Sequence, residues 1–236
     1  MKLCKPCLKE AFKVSFIVFI LPAIILSIYA QIKVKSTFKK YSNIRAMKGV
    51  TGADVASAIL RRNGLGNVNV EPVKGSLTDH YDPTTQTVRL SETVYGSNSI
   101  AAIGVAAHEV GHAIQHSQEY GPLELRHKLV PLTNFASGAS FPILLLGFIL
   151  YNANLILAGI ILFSAVVLFH LVTLPVEINA SRRAVVQLSE TGIISNQEVP
   201  MVNKVLSAAA LTYIAATLSA IASLLYYVMI FMGSSD

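Results

Sequence analysis

Two histidines four residues apart enclose a glutamate in the run His108-Glu109-Val110-Gly111-His112. Residues at this spacing lie on one face of an α-helix, so His108 and His112 can present two imidazoles to one zinc ion. The glutamate beside them can accept a proton from a water molecule that the metal activates. The pattern therefore predicts a hydrolytic zinc site with Glu109 as the general base. A pattern of five residues can also arise by chance, so the elements around it must support this interpretation.

The residues on both sides of the motif predict a buried helix that carries it. Ser97-Asn98-Ser99 offers N-cap residues, and the helix is expected to run to about Glu119 and to end at Gly121-Pro122. Alanine, isoleucine and valine dominate the residues before the motif. This composition predicts a helix that is buried in protein rather than exposed to water.

Three short strands are predicted ahead of this helix, at Asn67–Val73, Ser76–Tyr81 and Thr87–Ser91. They follow a short amphipathic helix that begins with a capping box at Thr51–Asp54 and reaches about Asn63. The alternating pattern of Thr87–Ser91 predicts an edge strand directly before the metal helix. An extended peptide could add to such an edge as a further strand.

The composition is that of a membrane protein. Hydrophobic residues make up 53% of the chain and charged residues only 14%, where about 25% is usual in soluble domains. Four apolar runs are long enough to cross a bilayer, at about Val14–Ile32, Pro131–Tyr151, Leu155–Leu174 and Val205–Met232. The net charge of +6 comes from basic residues that flank these runs, which does not indicate nucleic-acid binding. The predicted fold is a mainly α membrane protein with a small α+β zincin-like segment.

The apolar runs divide the chain into consecutive segments. These are a transmembrane anchor (1–32), a segment with the metal motif (33–128), a transmembrane hairpin (129–174), a helix and connection (175–204) and a C-terminal transmembrane helix (205–236). The segments 33–128 and 175–204 hold fifteen of the nineteen Lys and Arg residues. This bias predicts a multi-pass protein whose metal motif faces the cytoplasm. Four lysines before the first span oppose this orientation, and Cys4 and Cys7 are interpreted as incidental thiols or a disulfide.

A catalytic zinc site needs a third protein ligand and an open position for water. Glu177 directly follows the third span, on the same predicted side as the motif, and begins an apolar-rich helix where a carboxylate needs a partner. The alternative is an ordinary glutamate at a helix start, favoured by the helix dipole. Other acids and histidines are also candidates: His80, Asp82, His116, Glu119, Glu124 and His127.

Several stretches resemble a known family. They are H-E-V-G-H-A-I-Q at 108–115, D-H-Y-D-P at 79–83 with V-R-L-S at 88–91, and P-V-E-I-N-A-S-R-R-A at 175–184. These stretches resemble the YugP-type neutral zinc metallopeptidases, which are small bacterial membrane proteins, and the resemblance covers nearly the whole chain. More distantly, the chain is similar to membrane gluzincins such as the heat-shock protease HtpX and the CAAX prenyl protease. In those proteins two histidines and a glutamate on a later helix bind zinc.

The resemblance implies a ligand set and a base for this chain. One Zn²⁺ ion would be held by His108, His112 and Glu177, with Glu109 as the general base. Many gluzincins carry an aspartate four residues after the ligand glutamate, where this chain has Ser181. Asn179 and Ser181 are therefore expected to orient the ligand histidines through neutral hydrogen bonds.

These features predict a membrane-embedded zinc endopeptidase of the bacterial inner membrane. Its partners would be the lipid bilayer and peptide or protein substrates, including segments of membrane proteins. The alternative is a zinc-binding scaffold without turnover, but a purely structural site needs no base, so the intact Glu109 favours the enzyme. The residue that stabilises the oxyanion is left open among several donors: Tyr81, His170, His80, Tyr95, Arg182 and Arg183.

Overall fold

The computed structural model describes residues 16–233. Five π-helical residues, Phe16–Ile20, lead into the first long helix. In chain order the elements are α1 (Leu21–Ser42), α2 (Gly52–Arg62), β1 (Asn69–Val73), β2 (His80–Asp82), β3 (Thr87–Ser91), α3 (Glu92–Tyr95), α4 (Ile100–Ser117), α5 (Gly121–Ile149), α6 (Ala153–Glu190) and α7 (Val199–Gly233).

Four of these helices are long and apolar enough to cross a membrane. They are α1 with the π-helical residues before it, α5, α6 and α7. The prediction of a mainly α membrane protein with about four spans and a small sheet is confirmed. The helices extend beyond the predicted apolar runs because polar residues with good helix propensity continue the same backbone hydrogen bonds. Val14, the predicted start of the first span, and Cys4 and Cys7 lie outside the described residues.

The chain forms two compact units. The first, called the site unit, contains residues 31–124 and 175–211. The second, called the apolar unit, contains the described residues up to 30 together with 125–174 and 212–233. The core of the site unit packs α2, β3 and α4 around fully buried side chains such as Ile59, Leu90 and Ile103.

The sheet of the site unit corrects one sequence prediction. Its strand order is β1-β3-β2, with β1 parallel and β2 antiparallel to β3. Thr87–Ser91 is therefore the central strand, and the prediction that it lies at an edge was wrong. Both faces of this strand are covered, because four of its five residues are buried. The edge strand that contacts α4 is β2, at His80–Asp82.

The helix with the metal motif begins as predicted and ends earlier. The Ser99 hydroxyl accepts a hydrogen bond from the Ala102 N–H at 3.2 Å, which caps the N-terminus of α4. The helix ends at Ser117, and Glu119 takes a left-handed conformation with φ of 50°. Gly121-Pro122 was expected to end this helix, but the pair begins α5 instead. Proline is well tolerated in a first helical turn because the N–H it lacks has no partner there.

The helix that carries Glu177 is longer than predicted. α6 runs without interruption from Ala153 to Glu190 and contains Pro175. Glu177 therefore lies deep within a helix and does not begin one. The alternative that the helix dipole favours this carboxylate at a helix start was wrong, since the dipole acts only within the first turn.

The apolar unit contains the turn between α5 and α6. The side-chain oxygen of Asn152 accepts hydrogen bonds from the N–H groups of Asn154 at 3.0 Å and Leu155 at 3.2 Å. These bonds cap the start of α6, so the chain can reverse within a few uncharged residues.

Candidate metal centre

The two histidines of the motif lie side by side on α4. The ring centroids of His108 and His112 are 4.8 Å apart. Only 15% of the His108 side chain and 10% of the His112 side chain are exposed. Because α4 packs inside the site unit, the rings face protein and are shielded from bulk water.

Glu177 on α6 completes a three-residue cluster. Its Oε2 atom lies 3.3 Å from Nε2 of His108 and 3.6 Å from Nε2 of His112. The ligand atoms of the three residues all lie within 4.8 Å of one another. With zinc bonds of about 2.0–2.2 Å, the donors of a tetrahedral site lie about 3.3–3.6 Å apart. The chemistry of these donors and both measured separations therefore fit one zinc ion.

The site excludes most water around the carboxylate. Glu177 is 2% exposed, and an ionised carboxylate at such a position is stable only with charged or hydrogen-bonding partners. In the structure, the imidazoles of His108 and His112 are the partners of this carboxylate. A metal ion held by all three groups would supply the positive charge that this burial requires.

Each histidine has a partner on its other ring nitrogen. The Ser181 hydroxyl lies 3.1 Å from Nδ1 of His108, and Oε1 of Gln115 lies 3.0 Å from Nδ1 of His112. Both partners leave the Nε2 atoms directed at Glu177. Such contacts orient metal-ligating histidines and keep the ligating nitrogen available.

Sequence reasoning expected Ser181 and Asn179 in this role and missed Gln115. The structure places Asn179 one step further away, where its Oδ1 accepts a hydrogen bond from Gln115 Nε2 at 2.9 Å. Gln115 stands three residues after His112 in an apolar helix and is fully buried. A polar residue one turn from a predicted ligand, on the buried side of its helix, is the signal that could have identified it.

The helices α4 and α6 approach closely at the motif. A methyl group added at Gly111 would lie 2.6 Å from the Ala180 carbonyl oxygen and 3.2 Å from the Ala180 Cα. No side chain fits at that distance, so glycine between Glu109 and His112 allows the backbones to meet. At this point, beside the cluster, the helix with the histidine pair lies directly against the helix with Glu177.

Glu109 lies on α4 next to the cluster and is 8% exposed. Burial raises the pKa of its carboxyl from 4.5 to about 7, and the carboxylates of Glu177 and Asp79 act in the same direction. The His108 ring and a hydrogen bond from the Tyr81 backbone oppose this rise. A carboxyl group with such a pKa can exchange protons near neutral pH.

Tyr81 connects the edge strand β2 to the end of α4. Its backbone lies against Glu109, and its hydroxyl lies 2.9 Å from Nδ1 of His116, one turn beyond His112. Burial raises the pKa of the Tyr81 hydroxyl, so the group stays protonated. Tyr81 therefore presents a polar side chain alongside the face of α4 that carries the histidine pair.

The other residues considered from the sequence are not in the cluster. His116 contacts Tyr81, Asp82 forms a 2.8 Å salt bridge with Arg89, and His170 lies in the apolar unit. Within the described residues, the grouping of possible metal ligands does not include the remaining candidates for the third ligand: His80, Glu119, Glu124 and His127. Tyr95 packs against the core of the site unit, and Arg183 donates a hydrogen bond from Nε to Oδ1 of Asn179 at 2.7 Å.

Two histidines and a glutamate poised to bind one metal ion, in a chain with four candidate membrane spans, define a metal-binding membrane protein. The family model described as "Putative neutral zinc metallopeptidase" matches residues 16–232, and the chain belongs to this family. The chain is 57% identical to "Putative membrane protease YugP" of Bacillus subtilis (strain 168) over 221 residues, which cover 94% of this chain and 98% of that protein. No solved structure matches the chain. The predicted family and zinc cofactor are confirmed.

Proposed function

We propose that this protein is a zinc-dependent endopeptidase of the gluzincin type, with one zinc ion held by His108, His112 and Glu177. The main support for this proposal is the buried Glu177 carboxylate, which lies 3.3 and 3.6 Å from the Nε2 atoms of His108 and His112. Glu109 lies next to this cluster but outside it. A site with three ligands and a separate carboxylate suits hydrolysis, whereas a structural zinc site is normally closed by a fourth ligand.

In the proposed mechanism, the zinc site and the neighbouring Glu109 carboxylate have separate roles in hydrolysis. A zinc ion in this site supplies Lewis acidity for a water molecule and for the substrate carbonyl. Glu109 accepts the proton of the attacking water and then delivers it to the leaving amine. Burial raises the pKa of Glu109 in the metal-free site, and a more basic carboxylate is a better proton acceptor for the attacking water.

We assign the stabilisation of the oxyanion to Tyr81. Its hydroxyl is held at 2.9 Å from His116, and its backbone lies against Glu109. A hydroxyl held in place beforehand can stabilise developing negative charge without reorganising. Five other donors were named from the sequence: His80, Tyr95, His170, Arg182 and Arg183.

The proposed setting is the bacterial cytoplasmic membrane, crossed several times, with the metal site facing the cytoplasm. Fifteen of the nineteen Lys and Arg residues lie in segments 33–128 and 175–204, and these segments contain the cluster. Basic residues near spans favour the cytoplasmic side. The substrates would be peptides or proteins, including segments of membrane proteins that emerge near the site.

The test compares zinc content and proteolysis in purified protein. The wild type, Glu109→Gln and Glu177→Ala are purified in detergent, their zinc is measured, and each is incubated with an unfolded protein substrate. Glu109→Gln should keep its zinc and lose activity by about 100-fold or more, since it removes the base but not a ligand. Glu177→Ala should lose most of its zinc.

Three outcomes would count against the proposal. If Glu109→Gln cleaves as fast as the wild type with full zinc content, Glu109 is not the base and the catalytic mechanism fails. If the wild type binds zinc but cleaves no substrate, the zinc-binding scaffold without turnover is favoured. Unchanged zinc content in Glu177→Ala would assign the third ligand to another acid.

A further inference from the structure

Gln115 is a fully buried amide with three hydrogen bonds. Its Oε1 lies 3.0 Å from Nδ1 of His112. Its Nε2 donates to the backbone oxygen of Val176 and to Oδ1 of Asn179, each at 2.9 Å. A single side chain of α4 thus connects a proposed metal ligand to two positions on α6.

The partners of Gln115 determine which way its amide points. The Val176 carbonyl oxygen can only accept a hydrogen bond, so the group facing it must be the amide nitrogen. The atom of Asn179 that faces Gln115 also accepts a hydrogen bond from Nε of Arg183 at 2.7 Å. Since a guanidinium can only donate, this atom of Asn179 is its carbonyl oxygen.

The direction of each hydrogen bond follows from this chain of contacts. Arg183 and Gln115 both donate to Asn179, and the remaining oxygen of Gln115 faces His112. That oxygen can only accept, so Nδ1 of His112 carries a proton and donates it. A neutral imidazole protonated at Nδ1 has its lone pair at Nε2, which is the atom directed at Glu177.

We propose that Arg183, Asn179 and Gln115 form a relay of positioning residues that sets the tautomer of His112 and holds its Nε2 as a metal ligand. This proposal rests on the proposed zinc site. The relay contains no carboxylate and is anchored by the charge of Arg183, which also donates to Gln118 and lies over the Tyr120 ring. It ties the end of α4 to the helix that supplies the third ligand.

The partner of His108 differs in kind. A serine hydroxyl such as that of Ser181 can donate or accept, so it supports either tautomer of the ring. The relay therefore constrains His112 more strongly than Ser181 constrains His108. Loss of the relay should weaken zinc binding by about 10- to 100-fold, the usual effect of removing a group that orients a ligand.

The relay requires a hydrogen-bond acceptor at position 179, because the Asn179 side chain accepts from both Gln115 and Arg183. Asn179→Asp keeps an acceptor for both Gln115 and Arg183, so it should bind zinc nearly as tightly as the wild type. Asn179→Leu has a similar size but offers no acceptor, so it should bind zinc more weakly. A role of Asn179 in packing alone would not make aspartate a better replacement than leucine.

The experiment measures zinc affinity in the full-length protein in detergent, by competition with a chromophoric chelator. The variants are Gln115→Met, Asn179→Asp and Asn179→Leu, and Gln118→Met is the matched control. Gln118 is an exposed glutamine that contacts Arg183 but lies outside the path to His112. Thermal unfolding of the metal-free proteins identifies any variant whose affinity falls because it is unfolded.

The absorption spectrum of the cobalt-substituted proteins provides a second readout, because it reports the ligand geometry. The relay predicts weaker zinc binding and an altered spectrum for Gln115→Met and Asn179→Leu. Asn179→Asp and Gln118→Met should match the wild type in both measurements.

The outcomes separate this proposal from the proposed function. If the wild type binds zinc tightly and both Gln115→Met and Asn179→Leu bind it equally well, the relay is refuted and the zinc site stands. If the wild type binds no zinc, the zinc site fails and the relay fails with it. If Gln115→Met does not fold, the contrast between aspartate and leucine at the half-buried position 179 decides the question.

Discussion

The close contact at Gly111 offers the sharpest test of how the two ligand-bearing helices are held. A Cβ at this position would lie 2.6 Å from the backbone oxygen of Ala180, whereas ordinary van der Waals contacts begin at 3.4 Å. Gly111→Ala must therefore separate α4 from α6 locally by about 0.8 Å. A backbone carbonyl cannot rotate away as a flexible side chain can.

The size of this shift decides the expected effect on the metal. Protein ligands of a metal must keep their distances within about 0.2 Å, and the shift is several times larger. We expect zinc affinity to fall by at least about tenfold and kcat/KM by about 100-fold. Alanine gains up to about 1 kcal/mol over glycine in helix propensity, while overpacking costs about 1–3 kcal/mol. The net loss of stability should therefore be small.

Gly104 supplies the matched control on the same helix. A Cβ there would lie 3.3 Å from Cγ1 of Val202, a side-chain atom that can shift by a few tenths of an ångström. Gly104→Ala should therefore keep its zinc affinity and unfold at an equal or higher temperature than the wild type. Chelator competition measures the affinity, and circular dichroism in detergent measures the unfolding.

The reasoning would be refuted by a clear result. Wild-type zinc affinity and activity in Gly111→Ala would mean that the spacing of α4 and α6 at Ala180 does not set the ligand geometry. Equal losses of zinc affinity in Gly111→Ala and Gly104→Ala would mean that any methyl group added to α4 disturbs the site. The contact between Gly111 and Ala180 would then have no specific role.

Four further substitutions, at three positions, test other parts of the structure. Ser181→Ala removes the hydrogen-bond partner of His108 and should weaken zinc binding by about tenfold. Ser181→Asp should strengthen zinc binding, because a carboxylate partner raises the basicity of the imidazole. Equal zinc affinity in the wild type and both variants would show that Ser181 does not orient His108. Tyr81→Phe should lower kcat by about 100-fold with zinc content unchanged, and an unchanged kcat would remove Tyr81 as the oxyanion donor. Thr51→Ala breaks the capping box of α2 and should destabilise the protein by about 1 kcal/mol without changing zinc affinity, as measured by thermal unfolding and chelator competition.

Much of the fold could be predicted because its signals are local. The capping box at Thr51, the N-cap at Ser99 and the apolar runs of the spans depend on neighbouring residues, and the structure contains these helices. The end of α4 was misjudged because Gly121-Pro122 can end one helix or begin the next. The edge assignment of β3 failed because alternation describes the faces of a strand and carries no information about its neighbours in the sheet.

The metal cluster, too, could be predicted from the sequence only where it depends on neighbouring residues. The spacing of His108 and His112 on one helix face determined their proximity, because the α-helix places residues four apart on the same side. The burial of α4 followed from its composition. The sequence alone thus established a histidine pair, its helix and a chain rich in membrane spans.

Only the tertiary structure decided what completes the site. Glu177 reaches His108 across 69 residues, Ser181 reaches His108 across 73, and Gln115 contacts Val176 across 61. These contacts exist because α4 and α6 meet backbone to backbone at Gly111. No local pattern encodes that approach, since it depends on how two helices that are distant in sequence pack and on which side chains this packing brings together.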